Sequence, residues 1–413
     1  MTGAARRGSY GDVFRVREFT ALWCTVALSR GGSQLARVAL AVLAFQRTGS
    51  PAVTALVYAL TLLPAIVGGS FLGRLADRYP RRDLLVVCAW SRAGLVALIA
   101  VPGIPLPVLC GLVFVVQLIE SPAKAAQMAL LPDILTGETH SLGVAAVTLT
   151  SQIVSLVAFP LGGVLVGLLG PNGALALTAA VFAAMAPVTK LGLHHRPATR
   201  PSGPGDEERS RGLRGGGRLI LGSPPLRSLL ALALLAGFYV IPEVLAAPYA
   251  AELGRGTTEV GLLMAAMPVG NVAGVFLLTR FVPAGARLRW LGPLAVASGL
   301  PLVFSAMAPG FVPSLLLWGL VGLLSAYQVT ANTEFVRIVP RERRGEALGL
   351  ASSLLVTGQG AGMLLGGLLA DGVGVSPTLA IAGVAGCLAG IPPALGWRRA
   401  RQELPREAYA PAG

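Results

Sequence analysis

Twelve mainly apolar runs, separated by polar residues, glycine or proline, fill most of this 413-residue chain. A helix needs about 20 such residues to cross a hydrocarbon core ~30 Å thick. The runs lie near 19–46, 52–73, 83–101, 106–131, 140–169 and 173–193, then near 226–250, 258–280, 288–308, 312–337, 345–371 and 377–397. A closed β-barrel, the other backbone able to satisfy itself in lipid, is built from short alternating strands, and these runs are long and continuous. The expected fold class is an all-α membrane protein with twelve transmembrane helices.

Composition agrees. Charged residues make up 13% of the chain, about half of what a soluble domain carries, and the mean hydropathy is +0.71. The formal charge of +14 would suit a nucleic-acid partner only if the basic groups lay on a solvated surface, for which too little polar sequence exists. No nucleic-acid partner is expected, and the lipid bilayer takes that place. The four cysteines, Cys24, Cys88, Cys110 and Cys387, fall in apolar runs without a C-x-x-C pair and read as small buried hydrophobes.

Placing the polar N-terminus inside puts Arg47 and Arg255 on the outer side and gathers most other basic residues in inner loops. Basic loops stay cytoplasmic during insertion, so a multi-pass protein of the cell membrane with both termini cytoplasmic is expected. Residues 194–225 form a mixed-charge linker between a first half, 1–193, and a second half, 226–413. Its paired His194 and His195 have no third metal ligand nearby and read as solvated. The halves repeat: Leu131-Pro132, Leu142-Gly143 and Gly162-Gly163 return as Val339-Pro340, Leu348-Gly349 and Gly366-Gly367 at offsets of 208, 206 and 204. Parallel duplication of a six-helix unit marks one large transporter architecture.

After the second run stands Gly73-Arg74-Leu75-Ala76-Asp77-Arg78-Tyr79-Pro80-Arg81-Arg82-Asp83-Leu84-Leu85. This resembles the signature of the major facilitator superfamily, G-x-L-a-D-r-x-G-r-r-x-x-l, with Pro80 in place of the usual glycine. The resemblance implies two six-helix bundles and a gating loop carried by Gly73, Asp77, Arg78, Arg81 and Arg82. Asp77 would accept hydrogen bonds from arginines or a helix N-terminus and latch the inner face. The corresponding second-half loop, 280–290, keeps Arg287 and Arg289 but has Pro283 where the acid should stand. Thr48-Gly49-Ser50, Pro122-Ala123-Lys124 with Leu131-Pro132-Asp133, and Pro340-Arg341-Glu342-Arg343-Arg344-Gly345-Glu346 are similar to the macrolide and siderophore exporter branch. That likeness implies export driven by a proton gradient, with no bound cofactor. Phe159-Pro160-Leu161-Gly162-Gly163 resembles the antiporter motif G-P-x-x-G-G without its first glycine and one spacer.

Ionisable groups at membrane depth cost roughly 2.5–3.5 kcal/mol on insertion scales and normally face a cavity or a partner. Here they comprise Arg30 and Arg37 with Gln34, then Arg92, then Glu120 and Lys124 with Gln117 and Gln127, then Glu243, then Glu334 and Arg337 with Gln328 and Asn332. All but Arg92 fall on the first, fourth, seventh and tenth runs, which line the cavity in the family fold. Residues three or four apart share a helix face, so Arg30, Gln34, Arg37, Lys124, Gln127, Gln328 and Asn332 are candidate cavity residues. Glu120 and Glu243 are candidate proton carriers, and Glu120 with Lys124 also reads as an ion pair that only eases insertion. Glu334, close to the inner surface, reads as structural. Paired glycines, Gly69 and Gly73, Gly163 and Gly167, Gly270 and Gly274, Gly358, Gly362 and Gly366, fall on runs that slide between bundles in the family fold.

The leading reading is a secondary transporter, functional as a monomer, that exports a small hydrophobic or amphipathic compound. An importer or facilitator of a small polar solute is the alternative, and a non-transporting scaffold represents another class. No catalytic motif argues for an enzyme.

Overall fold

The computed structural model describes residues 9–62, 75–196, 215–307 and 310–403, and among them every regular element is helical. The long helices are α1 (Arg17–Thr48), α2 (Pro51–Ala59 among the described residues), α3 (Arg81–Ile99) and α4 (Leu106–Ile134). Next comes a continuous stretch, Glu138–Gly192, and then α7 (Pro224–Glu252), α8 (Thr257–Phe281), α9 (Gly285–Ser305), α10 (Phe311–Ile338), α11 (Arg344–Val373) and α12 (Val375–Glu403). At 1.5 Å per residue the 55 residues of Glu138–Gly192 would run about 80 Å, far more than one crossing. Gly170 resolves this: at φ 70° and ψ 166° it takes a conformation open to glycine and divides the stretch into α5 (138–169) and α6 (171–192).

Eight described stretches are long and apolar enough to cross a membrane, with Glu138–Gly192 entering as one of them. Helices α1 and α3 lie outside those eight because polar side chains interrupt their apolar sequence. Helix α7 consists of three pieces, Pro224–Leu234, Ala236–Tyr239 and Ile241–Glu252. Pro242, with no N–H to donate, sits at the start of the last piece, just ahead of Glu243.

The chain packs as two compact units, residues 1–43 with 60–203 and residues 44–59 with 204–413. Thus the end of α1 and the described part of α2 pack in the second unit. The first unit buries Phe19, Leu22 and Val26 of α1 against Leu84, Leu85 and Cys88 of α3, with Ala126, Leu130 and Leu131 of α4 and Val147 of α5. The second unit owes its tightest contacts to glycine. A Cβ on Gly270 or Gly274 of α8 would meet backbone of α10, one on Gly362 of α11 would meet backbone at Gly237 of α7, and one on Gly322 of α10 would lie 2.8 Å from the Met267 carbonyl carbon. These small residues therefore serve close packing inside one unit. Gly69 and Gly73 lie outside the described residues.

Acidic side chains close several helix starts in this unit. Asp371 accepts hydrogen bonds from Ser50 Oγ at 2.7 Å and the Ala52 N–H at 3.3 Å, beside the N-terminus of α2. Glu252 accepts from the Val375 N–H at 3.0 Å and Ser376 Oγ at 2.9 Å, at the start of α12. Each carboxylate satisfies donors that a helix N-terminus leaves without intrahelical partners.

Candidate functional site

In the first unit a charged cluster is assembled from α1, α3, α4 and α6. Arg92 of α3, 2% exposed, donates to Ser29 Oγ and Ser33 Oγ of α1 at 3.0 Å each and to Glu120 Oε2 of α4 at 3.3 Å. Its guanidinium lies 4.0 Å from the ring centroid of Phe182 on α6, a cation–π contact. Glycine at position 32 makes room for that ring, because a Cβ there would come within 2.6 Å of Phe182 Cε1. The other Glu120 oxygen lies 2.5 Å from Lys124 Nζ, one turn along α4. Glu120 is therefore held between two cations. The expected pair of Glu120 with Lys124 is present, and Arg92, set apart in the sequence because it falls on α3, is its hub. The sequence signal was the Ser29 and Ser33 spacing, which puts two hydroxyls on one face of α1.

The α1 stripe is partly formed: Arg37 Nη1 donates to Gln34 Oε1 at 3.1 Å, while Arg30 is exposed with no hydrogen bond or ion pair among the described residues. Gln127 is buried at 8% exposure. Ser33, Arg37, Thr61, Arg92, Gln117 and Phe182 are among the residues lining a cavity of about 20 Å³ within this unit.

Gly73 and Arg74 of the signature and the side chain of Asp77 lie outside the described residues. The described part of the signature begins with a single turn, Leu75–Arg78, in which Arg78 is exposed, and continues into the start of α3. Arg81 pairs with Asp133 and donates to the Ala129 carbonyl at 2.9 Å, tying the loop to the end of α4. Arg82 pairs with its neighbour Asp83 at 3.1 Å. The first linker residues are docked: Glu18 pairs with Arg196 and accepts from the His194 N–H at 3.1 Å, with His194 Nδ1 at 3.0 Å, while His195 Nδ1 lies 3.4 Å from Asp83. Burial alone would raise the pKa of Glu18, but hydrogen bonds from Arg196 and His194 outweigh it and lower the value to about 2. The two histidines are exposed, as expected of a solvated linker, while lying beside carboxylates, and no cluster of three metal-ligating side chains occurs among the described residues.

The helices of the second unit carry neutral polar groups together with Glu243, Glu334 and Arg337. Gln328 and Asn332 of α10, the amides expected to line a cavity, do line one of about 390 Å³, with Leu229 and Ala233 of α7 and Leu348 and Ser352 of α11. Glu243 of α7 accepts a hydrogen bond from the hydroxyl of Tyr58, which is 1% exposed. Nothing in the spacing of these residues, 185 positions apart, announced that contact. Glu334 lies 3.7 Å from Arg337 within α10, as its spacing suggested. Tyr239, Tyr249, Tyr327 and Trp318 are buried and hydrogen-bonded, so these four aromatics are packing residues.

Two glycine-punctuated helical units with polar groups held at mid-helix define the architecture, and the sequence match decides its kinship: the model of the Major Facilitator Superfamily fits residues 22–333 and again 244–411. The chain belongs to the Major Facilitator Superfamily. It is an integral membrane transporter with a small-molecule substrate, not an enzyme. Among curated members, Multidrug resistance protein MdtG of Yersinia enterocolitica is 39% identical over 87 residues, 21% of each chain. The protein of that name from Escherichia coli strain K12 is 37% identical over the same length. The match therefore spans about a fifth of the length of these relatives. Among solved structures, a bacterial homolog of the human lysosomal transporter Spinster, inward-facing and occupied, superposes with a TM-score of 0.72 at 16% identity, covering 98% of this chain and 100% of that one. The POT family transporter PepTSo gives 0.73 at 14% identity, covering 94% and 99%. At such identities the likeness concerns the fold.

Proposed function

We propose that this superfamily member is a proton-coupled exporter of a small hydrophobic or amphipathic compound, a drug or a secondary metabolite. In this reading the chain crosses the cell membrane twelve times with both termini cytoplasmic. Its six-helix bundles, 1–193 and 226–413, joined by the 194–225 linker, alternate access as a monomer. The observation that carries export is the likeness of an 87-residue segment to multidrug resistance proteins at 37–39% identity. The cavity of about 390 Å³ supports the substrate class, because apolar side chains of α7 and α11 surround its two amides.

For coupling we favour Glu243 over Glu120. Glu120 is bound by Arg92 and Lys124, which suits a fixed ion network, whereas Glu243 receives a hydrogen bond from a neutral phenol. Helix α7 is already broken at Pro242, so its backbone has room to move. The signature loop with Gly73, Asp77, Arg78, Arg81 and Arg82 serves as the gate.

Cells producing the protein should accumulate less of an exported dye, and an uncoupler should abolish the difference. Glu243→Gln should lose uncoupler-sensitive efflux while remaining folded, and Asp77→Asn should slow transport. Greater dye accumulation in producing cells would reverse the direction, and undiminished proton-driven efflux in Glu243→Gln would remove Glu243 from the mechanism.

A further inference from the structure

The charges inside the first unit do not balance. Arg30, Arg37, Arg92 and Lys124 stand near one carboxylate, Glu120; Arg92 and Lys124 contact it directly, and Arg30 and Arg37 act electrostatically on Lys124. An ion network present only to ease insertion would come closer to neutrality, since each uncompensated charge is costly at membrane depth. Two of the cations also have unused donors. The Nε groups of Arg37 and Arg92 are buried and have no hydrogen-bond partner, and Arg92 is 2% exposed.

Both arginines line the same cavity of about 20 Å³. The remaining polar lining is formed by Ser33, Thr61 and Gln117, each of which carries a hydroxyl or amide donor. Leu40, Val96, Ile99 and Val113 close it with apolar walls, which strengthen any electrostatic attraction inside. The volume exceeds the ~10–15 Å³ that admits a water molecule and falls far short of an organic ligand.

We propose that this cavity is an anion site: two guanidinium groups and neighbouring donors hold either a halide from solution or the carboxylate-sized head of a substrate whose apolar body extends beyond the cavity. The guanidinium fork suits this task, since it stays charged and offers donors in a fixed plane. The substrate source rests on the transport reading above, and the halide source does not. With the substrate source, the exported compound is an amphipathic organic anion, which narrows the substrate class.

The test uses purified full-length protein in neutral detergent at constant ionic strength. Bromide is titrated against gluconate, which is too large for the cavity, and 2-naphthylacetate against its neutral amide. We expect bromide or 2-naphthylacetate to bind, the amide to bind at least tenfold more weakly than the acid, and Arg37→Gln to weaken anion binding at least tenfold. The hydrogen bond of Arg37 among the described residues goes to Gln34 on the same helix, so this variant should fold; Arg92→Lys, which keeps the charge but loses the fork, gives a second reading. Competition between bromide and naphthylacetate assigns the site to the substrate head, and bromide binding alone assigns it to a free halide. Absence of anion binding, acid and amide binding alike, or unchanged anion binding in Arg37→Gln would overturn the proposal. Dye efflux in cells reports separately: anion binding without efflux leaves the site standing and removes the transport direction, and efflux without anion binding does the reverse.

Discussion

The two units solve the same problem, polar groups inside apolar helices, with different chemistry. In the first, Arg92, Glu120 and Lys124 form a chain of full charges fastened to Ser29 and Ser33. In the second, neutral donors reach neutral acceptors: Tyr239 to the Ala295 carbonyl at 2.6 Å, Tyr327 to the Leu232 carbonyl at 2.9 Å, Trp318 to Ser305 at 3.2 Å. At the 208-residue offset, Gln328 and Asn332 stand where the first half has Glu120 and Lys124. The first unit therefore depends on the contacts of Glu120 with Arg92 and Lys124, and the second depends on close backbone contact and single hydrogen bonds.

The largest effect should come from breaking the charge chain on one side. Glu120→Leu leaves Arg92 buried without its carboxylate, and removing one partner of a buried pair costs roughly 3–5 kcal/mol. Thermal unfolding in detergent should show a collapse of stability. The double variant Arg92→Met with Glu120→Leu should recover much of it, because the buried guanidinium goes with its carboxylate and only Lys124, whose side chain is 44% exposed, loses its partner. If the double variant is as unstable as the single one, the pairing of Arg92 with Glu120 is not what the first unit depends on.

Next in size is a steric break in the second unit. Gly270→Val places its side chain against the backbone of α10 near Gly319 and Leu323, where no side chain can swing away. Overpacking typically costs about 1–3 kcal/mol, and contact with backbone puts this case at the upper end. Gly111→Val, on α4 with nothing within 4 Å of its would-be Cβ, is the control and should cost little. Equal losses in both would mean that the close approach of α8 and α10 contributes nothing particular.

The contrast was half legible in the sequence. Apolar run length and Gly or Pro punctuation predicted the helices, because both act locally. Helix α4 runs Leu106–Ile134 where 106–131 was expected, and α7 covers Pro224–Glu252 where 226–250 was expected. Spacing of three or four predicted contacts within one helix, such as Lys124 with Glu120 and Arg337 with Glu334. Contacts between helices were hidden, since the rotation of one helix against another is set by packing. Arg92 stood among the buried ionisable groups but apart from the cavity candidates for lying on α3, and the Tyr58 to Glu243 contact joins residues that only folding brings together. The packing of residues 44–59 in the second unit was hidden for the same reason.

A smaller effect tests the neutral half at a single bond. Tyr327→Phe removes the hydroxyl that the buried Leu232 carbonyl accepts, with no change in ring packing. The expected loss is about 1–1.5 kcal/mol, the net value of one such hydrogen bond. A loss near that of Glu120→Leu would erase the distinction between the units.

The smallest effect is a pH dependence at the start of α1 in the first unit. Glu18 lies one residue ahead of the first expected span, and its pKa is lowered from 4.5 to about 2 by hydrogen bonds from Arg196 and His194, against the opposing effect of burial. Because the folded value is the lower one, its stabilisation is fully present above pH 4.5 and is lost as pH falls toward about 2. Only the upper part of that window is accessible to a detergent-solubilised protein, so acidifying from pH 6 to pH 4 should cost under about 1 kcal/mol through this group. Glu18→Gln should be less stable than the parent at pH 6 and show a flatter stability profile between pH 6 and pH 4. Profiles of equal slope would mean that the linker docked on Glu18 is held by packing, which would confine stabilisation by ion pairing in this unit to the buried cluster of Arg92, Glu120 and Lys124.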